Sequence, residues 1–286
     1  MKYYSPQTVA EALELLAVYK GQARLIAGGT DLLLDLKSGK YHIEALIDTA
    51  KIHELCQIEQ EGDCLVIGGG TTHTQICKND LIRRYAASLA EGCHAVGSLQ
   101  IRNVATLAGN LVNAQPAADG AMGLAVLDPE IVVLSQRVER RLKMDQIYAG
   151  FGKSAIDNTQ EIITQIRLPI SKDNVASAFI RLELRKALAL PMLNAAAAVG
   201  IKNDYVRWAK IAMGPVGVGP TRACEAEKFL EGKQFTEENI HKASQLALAQ
   251  ANPRSNPLRG SREYRMETLP AVVMDCLYAV QSRLEH

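Results

Sequence analysis

Neither sign of charge dominates this chain. Its 286 residues carry 32 lysines and arginines against 31 aspartates and glutamates, a formal net charge of +1. A balance so close to zero gives no reason to expect nucleic acid as a partner. No apolar stretch approaches the ~20 residues that a membrane span needs. The opening Met1-Lys2-Tyr3-Tyr4-Ser5-Pro6 lacks the apolar core of a signal peptide, so the expectation is a cytoplasmic protein. Closely spaced cysteine pairs are also missing. Cys56, Cys64, Cys77, Cys93, Cys224 and Cys276 include no C-x-x-C pair, which argues against zinc or iron–sulfur ligation and for free buried thiols in a reducing compartment. His42, His53, His73, His94 and His241 are scattered with no His-Glu-x-x-His. Each reads as a hydrogen-bonded structural residue, and no metal is expected. No catalytic acid–base pair, internal repeat or low-complexity tract stands out. Gly152-Lys153-Ser154 resembles the end of a P-loop, but Ile147 stands where that motif needs glycine.

What is present is a globular composition, 48% hydrophobic, with enough chain for two ordinary domains. Val9, Ala12, Leu13, Leu16 and Ala17 follow helical spacing over 6–20, with Pro6 near the start. A strand over Arg24–Ala27, a helix over 31–38 and a strand over Ala45–Asp48 make a small β–α–β unit, expected to cross over right-handed. Cys64–Ile67 reads as a strand ending at Gly68-Gly69-Gly70. Thr71 or Thr72 then caps a helix through Cys77, followed by a helix over 79–91. Asp119 is placed as the cap of a helix to Leu127, with strands at Ile131–Leu134 and Glu161–Pro169. The polar Ser171-Lys172-Asp173-Asn174 marks a boundary between a unit over 1–172 (parts about 1–52 and 53–172) and a unit over 173–286. In the latter, strands fall at Ala178–Leu182, Asn194–Ile201 and Tyr205–Met213, the last two joined as a hairpin by Lys202-Asn203-Asp204. Helices follow at about 222–230, 237–250 and 262–283. Leu284-Glu285-His286 looks like the start of an expression tag and is set aside. Without a clean β–α alternation the fold class is α+β rather than doubly wound.

Two turns rich in small residues carry the chemistry. Ala27-Gly28-Gly29-Thr30-Asp31 follows the apolar Leu25-Ile26. About 75 residues later comes Gln100-Ile101-Arg102-Asn103-Val104-Ala105-Thr106-Leu107-Ala108-Gly109-Asn110. Glycine lets backbone N–H groups approach an anion closely, and a helix beginning after the turn adds unpaired N–H groups and its positive end. Two such turns can grip the two phosphates of a dinucleotide from opposite sides. Gln100, Arg102, Asn103, Thr106, Asn110 and Asn113 crowd the second, and burying them unpaired would cost ~1–3 kcal/mol each. A polar ligand or a structured polar network is needed to satisfy them. Gly68-Gly69-Gly70 reads as a tight strand–helix turn, with ligand contact as the alternative. Gly214–Pro220 reads as a connecting loop, because its two prolines remove donors.

The order of these motifs resembles the FAD-binding subunit of the molybdenum hydroxylases, the xanthine dehydrogenase and carbon monoxide dehydrogenase family. The matching stretches are Leu25–Asp31, Ile67–Thr72, Gln100–Asn110 and Ala114-Gln115-Pro116-Ala117-Ala118-Asp119. The resemblance implies an FAD-binding domain of the vanillyl-alcohol-oxidase type, then a small α+β C-terminal domain with a three-stranded antiparallel sheet and helices. It implies that Leu25, Ile26, Ala27, Gly28, Gly29, Thr30 and Asp31, with Ala105, Thr106, Ala108, Gly109 and Asn110, hold FAD. Asp119 would lie near the ribose or adenine, Ile162 beside the cofactor, and Arg181 near the flavin ring, where a cation stabilises the reduced form. The plainer reading of Arg181 is a surface strand residue. Ala108 stands where the family usually has the first of two glycines. Residues 186–193 lack the acidic residues of some NAD-using members, which leaves the acceptor open among NAD, ferredoxin, quinone and oxygen. No insertion of clustered cysteines is present, so no cluster is expected on this chain. The implied partners are a large molybdenum-cofactor subunit and a small [2Fe-2S] subunit, as a dimer of heterotrimers. The alternative is a self-standing flavin-dependent oxidoreductase of the same fold.

Overall fold

The computed structural model describes residues 1–185, 188–257 and 259–285. Lys186 and Ala187 of the 186–193 segment, and His286 of the terminal triplet, lie outside the described residues. The chain opens with β1 (Lys2–Tyr4), α1 (Val9–Tyr19), β2 (Ala23–Ile26), α2 (Leu32–Lys37) and β3 (Ala45–Asp48). The two strands of the expected β–α–β unit pair in parallel, Ala23 with Ala45 through Ile26 with Asp48. β1 adds a third parallel strand on the other side of β3. Its three residues, Lys2-Tyr3-Tyr4, are too few to show a period. Val9, Ala12, Leu13 and Leu16 bury one face of α1 against Ala23, Ala45 and Ile47. Thr8 caps that helix by accepting from the Glu11 N–H.

The middle of the chain supplies β4 (Ile58–Glu61), β5 (Cys64–Gly68), α3 (His73–Lys78), α4 (Asp80–Tyr85), α5 (Ala87–Ala95), α6 (Leu99–Arg102), α7 (Leu107–Asn113) and α8 (Asp119–Leu124). Then come β6 (Glu130–Ser135), β7 (Glu139–Leu142), β8 (Tyr148–Gly150), β9 (Lys153–Ser154) and β10 (Glu161–Pro169). The five-stranded sheet runs β4-β5-β10-β6-β7, with every pairing antiparallel. The helix expected over 79–91 is two helices that break at Ala86, whose φ of −143° leaves the helical region. Thr72 caps α3 in a reciprocal pair with Gln75. Asp119 is the first residue inside α8 rather than its cap, and that helix stops at Leu124. Its carboxylate is committed elsewhere, as described below.

The remaining elements are β11 (Asn174–Leu182), β12 (Leu193–Lys202), β13 (Tyr205–Gly214), β14 (Thr221–Arg222), α9 (Cys224–Leu230), α10 (Glu237–Leu246) and α11 (Arg262–Leu284). The three long strands form the expected antiparallel meander, and β14 adds a two-residue edge. The run Asn194–Gly200 does not alternate because both faces of β12 are buried. Leu193, Ala195, Ala197 and Val199 face the core under α9–α11, whereas Ala196 and Ala198 pack with Met122 and Val126. The expected burial of the thiols holds for Cys93 and Cys276, while Cys56, Cys64 and Cys77 are half-buried. Cys224 is exposed at the start of α9, a correction to the expectation. Among the described residues, no helix is long and apolar enough to cross a membrane.

Candidate functional site

The chain leaves β2 through Ala27-Gly28-Gly29-Thr30, the last residues before α2. A Cβ at Gly28 would fall 2.3 Å from the Val104 carbonyl oxygen and 2.8 Å from the Ala105 nitrogen. The two small-residue turns therefore pack directly on each other, and glycine is required at 28 for that contact. Gly29 has φ of +66°, a conformation that side chains with a Cβ rarely adopt. Among the described residues, the N–H groups of Gly28, Thr30 and Asp31 meet no protein acceptor. Consecutive free N–H groups on such a turn form a concavity suited to an anion.

The second stretch is not one turn. It folds as α6, a short connection and α7, so Ala108, Gly109 and Asn110 are helical. Thr106 caps α7 by accepting from the Gly109 N–H at 3.0 Å. The Leu107 N–H donates to the Thr71 carbonyl and the His73 N–H to the Ala105 carbonyl, which ties this turn to the segment after the triple glycine. A Cβ at Gly109 would meet only Thr106 Oγ1, at 3.1 Å. Packing does not demand glycine there, and its absent side chain leaves a cradle open. Asn110 Oδ1 accepts from the Ala121 N–H at 3.0 Å, so this side chain also fastens α7 to α8.

Both turns face one cavity of about 1020 Å³, at the top of the range for ligand sites. Leu25 through Asp31, Ala105, Thr106, Ala108, Gly109, Asn110, Asp119 and Ile162 all line it. Arg181 does not. It is nearly buried, not a surface residue: its Nη1 donates to Asp119 Oδ2 at 2.9 Å and to the Ala95 carbonyl, and Nη2 pairs with Glu183. Arg181 reaches the cavity wall only through its partners, Asp119 and the Ala189 carbonyl at 3.4 Å, both of which line the cavity. Asn194 donates to Asp119 Oδ1 at 2.9 Å. Burial pushes the Asp119 carboxyl up to about 6, against the lowering pull of Asn194 and Arg181.

Further contributors to the cavity lie outside the two turns. Gly69 lines the cavity while its own packing requires glycine, since a Cβ would sit 2.0 Å from the Ile163 carbonyl oxygen. Both readings of the triple glycine meet at this residue. Gly152-Lys153-Ser154 is no P-loop, yet it and the following residues to Asn158 form one wall; a two-residue strand gives no periodic signal. His73 is 1% exposed and lines the same cavity. Burial first, then the nearby Arg102 charge, lower its imidazole to about 4, so it is neutral at pH 7. Among the described residues, no group of three or more His, Cys, Asp and Glu side chains is placed to hold a metal ion.

The open cradle at Gly109 and the free turn N–H groups suit the diphosphate of a dinucleotide. Comparison with known proteins agrees. Residues 1–171 match the family described as the FAD binding domain in molybdopterin dehydrogenase, and residues 178–280 match the CO dehydrogenase flavoprotein C-terminal domain. The chain is 33% identical over 244 residues to the nicotinate dehydrogenase FAD-subunit of Eubacterium barkeri, covering 84% of this chain and 82% of that one. It is 27% identical over 288 residues to the xanthine dehydrogenase FAD-binding subunit of Escherichia coli O157:H7, covering 99% and 98%. Among solved structures, carbon monoxide dehydrogenase from Hydrogenophaga pseudoflava superposes with a TM-score of 0.91 at 28% identity, over 99% of this chain and 98% of that one. With both halves matched, this chain belongs to the family of FAD-binding medium subunits of the molybdenum hydroxylases, an oxidoreductase flavoprotein family.

Proposed function

We propose that this chain is the electron-transfer subunit of a molybdenum-containing hydroxylase or dehydrogenase, holding FAD in the cavity between its two small-residue turns. The flavin supplies the redox chemistry when bound, and the protein supplies position and electrostatics. In this reading Ala27–Asp31 and Ala105–Asn110 grip the diphosphate from two sides. Leu25, Ile26 and Ile162 give apolar surface, and Asp119 lies toward the ribose or adenine end. The chain divides into a flavin-binding unit over 1–172, with parts about 1–52 and 53–172, and a C-terminal unit over 173–286. Electrons arrive from a small [2Fe-2S] subunit, supplied by substrate oxidation at the molybdenum cofactor of a large subunit. They leave to NAD or another acceptor, and the assembly is a dimer of heterotrimers.

One observation carries the reading: the Gly28-Gly29 turn and the connection between α6 and α7 touch through Gly28 and Val104 and face one large cavity, and among the described residues the N–H groups of the first turn are unpaired. The test is purification from the native source, followed by visible spectroscopy and metal analysis. The expected result is a yellow complex with stoichiometric flavin, molybdenum and iron in three kinds of subunit. A flavin-loaded single chain with substrate turnover and neither metal would support a self-standing oxidoreductase instead. A colourless chain that does not take up added FAD would overturn the reading.

A further inference from the structure

The imidazole of His73 is held in a way that its packing does not explain. The ring lies under the start of α8: a Cβ at Gly120 would fall 3.0 Å from His73 Cε1 and 3.2 Å from Asn110 Oδ1. Glycine at 120 therefore makes room for the ring and the amide together. The His73 main chain is fixed by the N–H donation to Ala105 and by its place at the first position of α3 behind the Thr72 cap. Of the two ring nitrogens, Nδ1 is enclosed by protein with no partner. Nε2 is also unpaired, but it is not enclosed, and the residue lines the cavity. What little surface the side chain keeps is thus on the cavity side.

That arrangement decides the tautomer. The neutral ring carries one proton. A buried N–H without an acceptor is rarer and costlier than an unused lone pair. The proton therefore belongs on Nε2, where a cavity occupant can accept it, and the enclosed Nδ1 keeps its lone pair. Asn110 complements this, since its oxygen is spent on Ala121 and its amide N–H groups remain for the same occupant.

We propose that His73, locked as the Nε2–H tautomer, donates a hydrogen bond to an oxygen of the bound dinucleotide and positions it against Asn110. This rests on the assignment of the cavity to FAD. The test uses the full chain stripped of flavin and titrated with FAD alone, comparing wild type, His73→Gln and His73→Phe. Gln places an N–H donor where Nε2 lies, whereas Phe fills the space without one. The expected result is affinity within about threefold for His73→Gln and a loss of about tenfold for His73→Phe, the scale of one hydrogen bond. Equal affinities for all three proteins, or equal losses in both variants, would overturn the proposal. Histidine-labelled ¹⁵N spectra of the wild type give a second readout that needs no variant. Nε2 should appear protonated at pH 7, and its N–H proton should move on FAD addition. A proton on Nδ1, or an Nε2–H unmoved by bound FAD, would equally overturn it. Failure of the wild-type chain to bind FAD would instead sink the cavity assignment on which the proposal stands.

Discussion

Single residues in this site separate packing from binding, and the glycines show how. Gly28→Ala drives a Cβ into the Val104 carbonyl, backbone against backbone, with no flexible neighbour to yield. Both stability and flavin retention are expected to fall. Gly109→Ala meets only the Thr106 hydroxyl, and alanine is favoured over glycine inside a helix by about 1 kcal/mol. Thermal unfolding should leave this variant at least as stable as the parent to within about 1 kcal/mol, while FAD titration should show weaker binding by tenfold or more. Unchanged affinity in Gly109→Ala would remove the cradle from the binding site. Two buried titrating groups make a second residue-scale prediction. Asp119 is raised from 3.8 to about 6, so in the folded state it holds its proton more tightly than in the unfolded chain. Its stabilising effect is greatest at low pH and is lost as pH rises toward 6. His73 is lowered from 6.5 to about 4, so its effect runs the other way, with stability lost as pH falls from 6.5 toward 4. Each shift is of about two units, on the order of 3 kcal/mol at 1.36 kcal/mol per unit, so the flavin-free wild type should be nearly flat between pH 4.5 and 6.5. Denaturant unfolding of Asp119→Asn should show stability rising across that window, and His73→Gln should show it falling. Slopes of the same sign in both variants would refute the assignment of these two groups.

At the scale of elements, the short helices around the cavity depend on their caps and on one another. α7 has seven residues, too few to be stable alone in water. It is held by the Thr106 cap, the Leu107 N–H on Thr71 and the Asn110 link to α8. Thr106→Ala is expected to cost about 1 kcal/mol of stability, and FAD affinity should fall with it because Gly109 and Asn110 lose their anchor. Intact affinity alongside the lost stability would show that the cavity wall does not depend on the cap. These elements also show what the sequence could disclose. Strands such as Glu161–Pro169 and the amphipathic α1 carry local periods, and the two turns carry local glycines, so they were readable in order. The helical state of Ala108–Asn110 was not, because a seven-residue helix full of small residues looks like a turn. The pairing of Asp119 with Arg181 spans 62 positions and exists only once β11 is laid beside α5 and α8. No local pattern could distinguish a ring-side arginine from one spent on two carboxylates. His73 reads as a lone histidine in the sequence for the same reason, since its meaning comes from an enclosure made by α7 and α8.

The whole molecule presents an apolar rim beside the cavity. Ile101, Leu188 and Leu190 line the opening and remain exposed, Leu190 by 62%. Leu34, on the helix that follows the first turn, is 64% exposed, and Leu99 and Val104 flank Ile101 on the second. Scattered apolar side chains on a surface need no explanation, but a cluster around a ligand opening marks a contact surface. If electrons reach the flavin from another subunit, that subunit must approach the cavity, where Ile101, Leu188 and Leu190 offer it exposed apolar surface. The double variant Leu34→Lys, Leu99→Lys replaces two exposed side chains that pack in none of the hydrophobic cores. It should therefore fold and bind FAD as the parent does. In the complex proposed above, sedimentation or co-purification should show association with the electron-donating subunit weakened at least tenfold, because two unpaired charges would be trapped at the contact. Full association of the double variant would place the docking surface elsewhere on the chain, and the electron path into the cavity would have to enter from a different side.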